Sequence, residues 1–212
     1  DESAIVKSSI IDSDSGPVYI DKGVRVGPGA IVQGPVYIGK GSIVNPGSKI
    51  RGNVSIGPVC KVGGEIEDSI FQGYSNKQHD GFLGHSFVGE WVNLGANTNV
   101  SNLKNTYGNI KVNLESQIIN TGKNFLGSLI GDHVKTAIST NLNTGSTIGF
   151  GANVFNNDFS SKFIKSFAWG HDGSTDFEKF LLTARKVKAR RGQEVSNSEI
   201  KLFKSIFINR IK

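Results

Sequence analysis

The sequence predicts an all-β solenoid, a left-handed parallel β-helix of hexapeptide repeats, followed by a two-helix C-terminal extension. Three observations lead there. An aliphatic residue recurs every sixth position through the first third of the chain, 27 of the 212 residues are glycine where roughly 7% is usual, and the spacing turns helical near the C-terminus.

The repeat runs through Ile20, Val26, Val32, Ile38, Val44, Ile50, Ile56 and Val62 without a miss. Glycine or a small polar residue often follows, as in Val26-Gly27 and Ile56-Gly57, and four positions on comes a second small or aliphatic residue, from Val24 to Ile66. Such a period reads as one short strand per hexapeptide, with three strands closing an 18-residue triangular coil and the aliphatic side chains stacked inside. Corners of that coil need positive φ, which glycine and asparagine tolerate, so the glycine excess follows. After Val62 the register slips by two and resumes at Ile70, Phe82, Val88, Leu94 and Val100, then at Ile130, Leu142, Ile148 and Val154. The core repeat lapses at Asn76. Residues 101–127, polar and rich in Asn and Gly, read as a loop thrown out from the coil, with a short strand at Ile110 to Val112.

Beyond Phe155 the period disappears. Ser160 to Trp169 reads as extended chain packed along the prism. Two helices follow, each with capping-box spacing at Thr175/Glu178 and Ser196/Glu199. Their apolar stripes, Phe177, Phe180, Leu181, Ala184 and Val187, then Ile200, Phe203, Phe207 and Ile211, face the prism or a neighbouring copy. The expected organisation is a β-helix over 1–158 with an insertion at 101–127, then an extended segment and two helices over 159–212. The chain starts at Asp1 and has no Met, so a further domain N-terminal to Asp1 is expected.

Charge divides unevenly: residues 1–158 hold 12 basic and 13 acidic side chains, residues 159–212 hold 12 and 5. The basic tail, with Lys186, Lys188, Arg190 and Arg191, suits either a solvated helix face or a phosphate-rich ligand. No run of 18 apolar residues exists and Cys60 is the only cysteine, so no membrane span or disulfide framework is expected and the cytoplasm is the expected location. Nucleic acid is not an expected partner.

Of His79, His85, His133 and His171, His79 stands out because it falls in the polar stretch Tyr74 to Gly84, where the packing pattern lapses. An ordinary imidazole accepts a proton near neutral pH, as acyl transfer to an amine or alcohol requires. Imidazoles on such a solenoid can also ligate zinc between subunits, but His133 sits at an ordinary repeat position and His171 in the tail. No metal is expected. Asparagine is dense from Trp91 to Asn109, which suits both corner geometry and amides at the mouth of a groove.

The segments His79-Asp80-Gly81-Phe82-Leu83-Gly84, Val88-Gly89-Glu90-Trp91-Val92-Asn93-Leu94-Gly95-Ala96-Asn97-Thr98, and the Asn102 loop with Lys111 come in that order. Over roughly residues 56–155 they resemble the β-helix domain of bifunctional sugar-1-phosphate nucleotidylyltransferase/acetyltransferases, such as bacterial N-acetylglucosamine-1-phosphate uridyltransferase. The resemblance implies an acetyl-CoA-dependent N-acetyltransferase acting on a hexosamine 1-phosphate, assembled as a homotrimer with sites between subunits. It implies a nucleotidyltransferase domain upstream of Asp1, since no Gly-rich nucleotide loop or βαβ alternation is present here. Position by position it places the general base at His79, acceptor contacts at Asn93, Asn102, Phe82, Lys77 and Lys111, and acetyl-CoA contacts at Ala96, Ala137 and Ser139. Phe82 stands where the family has Tyr, and Glu65, Glu67 and Asp68 stand where the family has phosphate-binding cations. That departure supports an alternative, a non-catalytic oligomerisation or regulatory module of a sugar nucleotidyltransferase.

Overall fold

Aliphatic side chains at every sixth residue are all buried if the chain turns once per hexapeptide, three times between neighbours of the same stack, and the coil that results has three faces. The computed structural model describes residues 1–114, 117–155 and 160–210. It is a parallel-strand β-solenoid of about nine turns carrying two C-terminal helices. On the first face Val26 pairs with Val44 and Val44 with Val62. On the second, Val32, Ile50 and Ile66 align, and on the third, Ile38, Ile56 and Phe71. From Val26 to Val62 the members of the hexad series are at most 2% exposed, with Ile20 half-buried at the open end. Cys60 is one of these inward residues, and burial pushes its thiol up to about 11, so it behaves as a small hydrophobe.

The register change after Val62 differs from the sequence expectation. Val62 pairs with Lys77 and Ile56 with Phe71, 15 residues on instead of 18, and Phe71 then pairs with Val88. The corner at Gly63-Gly64 is two residues short and the two later corners are one short each, so Ile70 and Phe82, expected inside, are displaced by one, while Val88, Leu94, Val100, Ile130, Leu142, Ile148 and Val154 are in the core as expected. Phe71 and Leu83 fill the core, while Ile70 is half exposed and Phe82 is only part-buried. Tightening of this kind needs glycine at Gly57, where a Cβ would lie 1.2 Å from the carbonyl oxygen of Gln72.

The insertion folds as a hairpin, Lys111–Leu114 antiparallel to Gln117–Asn120, longer than the single strand expected. Ile110 and Val112 are buried against the coil, whereas Ile118 is exposed. The segment after residue 160, expected as extended chain packed along the prism, joins the coil itself. Phe163–Ile164 and Ala168–Trp169 extend the third and first faces by one more strand each. The expected domain boundary at 158 and the stripe residue Ile211 lie outside the described residues.

Helix α1 spans Phe177–Ala189 and α2 spans Asn197–Asn209. The N-cap of α1 is Asp176, whose carboxylate accepts from the Lys179 N–H, so the expected Thr175/Glu178 box does not form; Ser196 and Glu199 form the capping box of α2. Both helices dock on one corner of the prism, where Tyr74, Trp91 and His133 stack with positive φ. The His133 ring meets the edges of Phe150, Phe180 and Phe203 at 5.2 to 5.6 Å between centroids. Lys188, buried, pairs with Glu199 and lies over Trp91, which ties the helices to each other and to the corner.

Candidate active site

The edge between the first and second faces carries the turn Gln78-His79-Asp80-Gly81. Gly81 takes φ +123° there, and a Cβ on it would lie 2.3 Å from the Thr98 carbonyl oxygen, so the turn sits directly on the coil below. His79 and Asp80 are exposed and line an open groove of about 700 Å³ with Asn45, Gly64, Ala96 and Asn97. One coil further on, the Ser139 N–H donates to the Ala96 carbonyl at 2.7 Å and Asn97 Nδ2 to Ser139 Oγ at 3.2 Å. Ala137 is close enough to the Gly95 backbone that a Cβ on Gly95 would meet its carbonyl carbon at 2.5 Å. His79, Ala96, Ala137 and Ser139 therefore belong to one edge. The Ala96 N–H has no partner among the described residues.

Lys77 departs from expectation. As a substrate contact it would face the groove, but it occupies an inward position and is 1% exposed. Its ammonium donates to the carbonyls of His79 at 2.8 Å and Gly63 at 3.2 Å, and burial lowers its pKa to about 8. It holds the His79 turn from beneath. Asn93 is exposed on the first face, accepting from Asn76 Nδ2 at 3.3 Å, and lines a cleft under α1, not the His79 groove.

Phe82 and Asn102 lie together on the second face, since a Cβ on Gly84 would meet Phe82 Cζ at 2.6 Å and Asn102 Nδ2 at 2.7 Å. The Asn102 amide sits 3.0 Å from His85 Nδ1 and donates to Glu67 Oε1 at 3.3 Å, while Phe125 stacks on the His85 ring. Arg51 is held by Glu65 at 2.5 Å and Glu67 at 3.0 Å. The one guanidinium of this patch is thus already neutralised. Lys111 is exposed on the hairpin opposite Asn120, away from the groove lining. Sequence reasoning missed the Arg51 and His85 networks because the short corners bring them into line with Asn102 only in three dimensions.

Among the described residues no group of three or more His, Cys, Asp or Glu is placed to hold a metal, and no helix is long and apolar enough to cross a membrane.

Residues 17–52 match the bacterial transferase hexapeptide (six repeats) family. The chain carries a hexapeptide-repeat domain. Over 91 residues this hexapeptide-repeat chain is 34% identical to a bifunctional sugar-1-phosphate nucleotidylyltransferase/acetyltransferase of Sulfurisphaera tokodaii, covering 43% of this chain and 23% of that one. Over 99 residues it is 35% identical to the bifunctional protein GlmU of Methanococcus aeolicus, covering 44% and 24%. The match spans less than a quarter of the length of these curated relatives. A solved structure, the polysialic acid O-acetyltransferase OatWY, aligns over 81% of this chain and 85% of its own at 16% identity, with a TM-score of 0.42.

Proposed function

We propose that the chain is an acetyl-CoA-dependent acetyltransferase that acts on the amine of a hexosamine 1-phosphate and works as a homotrimer. The observation that carries this reading is the single edge on which His79 and the Ala96, Ala137 and Ser139 backbone are stacked, together with a relative whose name includes acetyltransferase. In the proposed reaction the acceptor amine attacks the thioester carbonyl carbon, and the His79 imidazole takes the proton that the amine loses. The C–S bond breaks, the oxyanion draws on the Ala96 N–H, and the thiolate of CoA leaves with the proton returned from His79.

Release of free CoA thiol from acetyl-CoA in the presence of glucosamine 1-phosphate tests it. His79→Ala is expected to lower kcat by about 10² to 10⁴ with an unchanged melting temperature, because the ring is exposed and packs on little. A full rate in that variant removes His79 as base. No thiol release by the native chain with any hexosamine 1-phosphate leaves the non-catalytic module, the reading that the neutralised Arg51 favours.

A further inference from the structure

Away from the His79 groove, one cleft collects positive charge and leaves it uncompensated. Outward residues of the first face form a ladder in which Lys61 pairs with Asn76, Asn76 with Asn93, Asn93 with Lys135 and Lys135 with Asn153. Helix α1 lies across it. Asn153 Nδ2 reaches Thr175 Oγ1 at 3.5 Å just before the helix begins, and Arg191 Nη2 donates to Asn76 Oδ1 at 2.8 Å just after it ends. A cleft of about 470 Å³ lies between ladder and helix, with Lys61, Lys135, Arg190 and Arg191 in its walls and no carboxylate among its lining residues.

None of these four cations has an acidic partner within 4 Å among the described residues, whereas Lys188 on the same helix is taken by Glu199. The arrangement is fixed. Gly192 at φ +65° ends the helix, and the Arg190 and Arg191 N–H groups donate to the Lys186 and Lys188 carbonyls. Two guanidiniums outweigh the half charge of the helix C-terminus that bears them. Lys135 is half-buried, its ammonium on the His133 carbonyl at 3.1 Å, and burial lowers its pKa to about 8. Keeping an ammonium in that place without a counter-ion is unfavourable, and an anion in the cleft would relieve it.

The second face is the reverse case, with Arg51 consumed by Glu65 and Glu67. A phosphorylated ligand finds the Arg51 guanidinium already paired there and, in the cleft, four cations with no carboxylate partner among the described residues. Gln78 lines both the cleft and the His79 groove, so the two adjoin.

We propose that the cleft between the first face and α1 is a binding site for phosphoryl groups, with Lys61, Lys135, Arg190 and Arg191 as its charged contacts and the Asn93 amide as a further donor. Three sources share that chemistry: the diphosphate of an acyl donor, the phosphate of the acceptor, and a free phosphorylated effector. The site does not depend on His79 being a base.

Calorimetric titration of the full chain with inorganic pyrophosphate tests the site directly. Binding is expected to weaken steeply as salt is raised. Lys135→Gln with Arg190→Gln should reduce affinity by about tenfold or more for each charge removed, with an unchanged circular dichroism spectrum; Arg191 is left in place because it holds Asn76. His79→Ala should bind pyrophosphate like the native chain. Displacement of pyrophosphate by CoA assigns the donor, displacement by glucosamine 1-phosphate assigns the acceptor, and displacement by neither assigns a free effector; each supports the site. No binding to the native chain, or equal affinity in the double variant, overturns it. Retained pyrophosphate binding in a chain that shows no acetyl transfer would count against the proposed activity alone.

Discussion

The Lys77 ammonium lies inside the coil and donates to the backbone carbonyl of His79 at 2.8 Å. A side chain two residues upstream thus anchors the turn that presents the candidate base. Lys77→Met keeps most of the volume and removes both the buried charge and the anchor. The coil should stay folded, with a melting temperature within a few degrees of the native chain, since a buried charge without a carboxylate partner is costly to keep. Its loss should free the His79 turn and lower kcat about tenfold while leaving KM for acetyl-CoA unchanged. An unchanged kcat would show that the turn needs no anchor.

The same lysine predicts a pH dependence. Its pKa is about 8 in the folded chain and about 10.4 in an unfolded one. Between those values the unfolded state holds a proton that the folded state lacks, so stability rises with pH across that window. Lys135, also near 8, contributes a rise of the same sign. Melts at pH 8 and pH 10 should show a smaller rise in Lys77→Met than in the native chain; equal rises would mean that Lys77 is not desolvated.

His133 is expected to work in the acid range. The ring is 2% exposed, with Nδ1 unpartnered among the described residues. Burial, with Lys135 and Lys188 nearby, lowers its pKa to about 3. Below about pH 6.5 an unfolded imidazole takes a proton while the folded one does not, so stability should fall by about 1.4 kcal/mol per pH unit as pH drops from 6.5 toward 3. His133→Phe removes the titrating group and keeps a ring among Trp91, Phe150, Phe180 and Phe203. Melts at pH 7.5 and pH 5 should then show a smaller acid loss in the variant. The same loss in both would place the acid sensitivity elsewhere.

The stack from Ile20 to Val62 was legible because an unbroken period of six admits one arrangement of inside and outside. It stopped being legible where corners shorten. Nothing in the letters around Gly63, Asp68 or His85 shows which corner gives up residues, yet the first two shortenings displace the inward positions that follow them, and the third returns Val88 to the core. That is why Ile70 and Phe82 were expected inside and Lys77 outside. His79 and Ala96 could be placed on one edge from spacing and resemblance, since corners stack regardless of which strand residue faces in. Asn93 could not, because its place in the cleft depends on α1, whose Val187 lines the same cleft from about 90 residues further along the chain. The cap of α1 shows the same limit on a smaller scale: Thr175 and Asp176 are both acceptable caps, and only the approach of the helix to Phe167 and Phe150 selects Asp176.

His79 and the His85–Asn102 pair stand at opposite ends of the strand Phe82–Gly84, on the order of 15 Å apart at about 3.3 Å per residue, and Lys111 lies further out on the hairpin. One sugar ring cannot touch both ends of that strand in one chain. If His79 and Asn102 contact the same acceptor, two copies must lie edge to face, and a ring of three closes such a head-to-tail contact. Sedimentation should therefore give about three times 22.8 kDa. His79→Ala and Asn102→Ala, each inactive alone, should recover activity when unfolded together and refolded, because each mixed trimer can pair an intact His79 from one copy with an intact Asn102 from the next. Random mixing of equal amounts restores about a quarter of the sites. Recovery near that level would confirm a shared site; a monomer by sedimentation, or mixed trimers with no activity, would confine each site to one chain and require a different acceptor contact from Asn102.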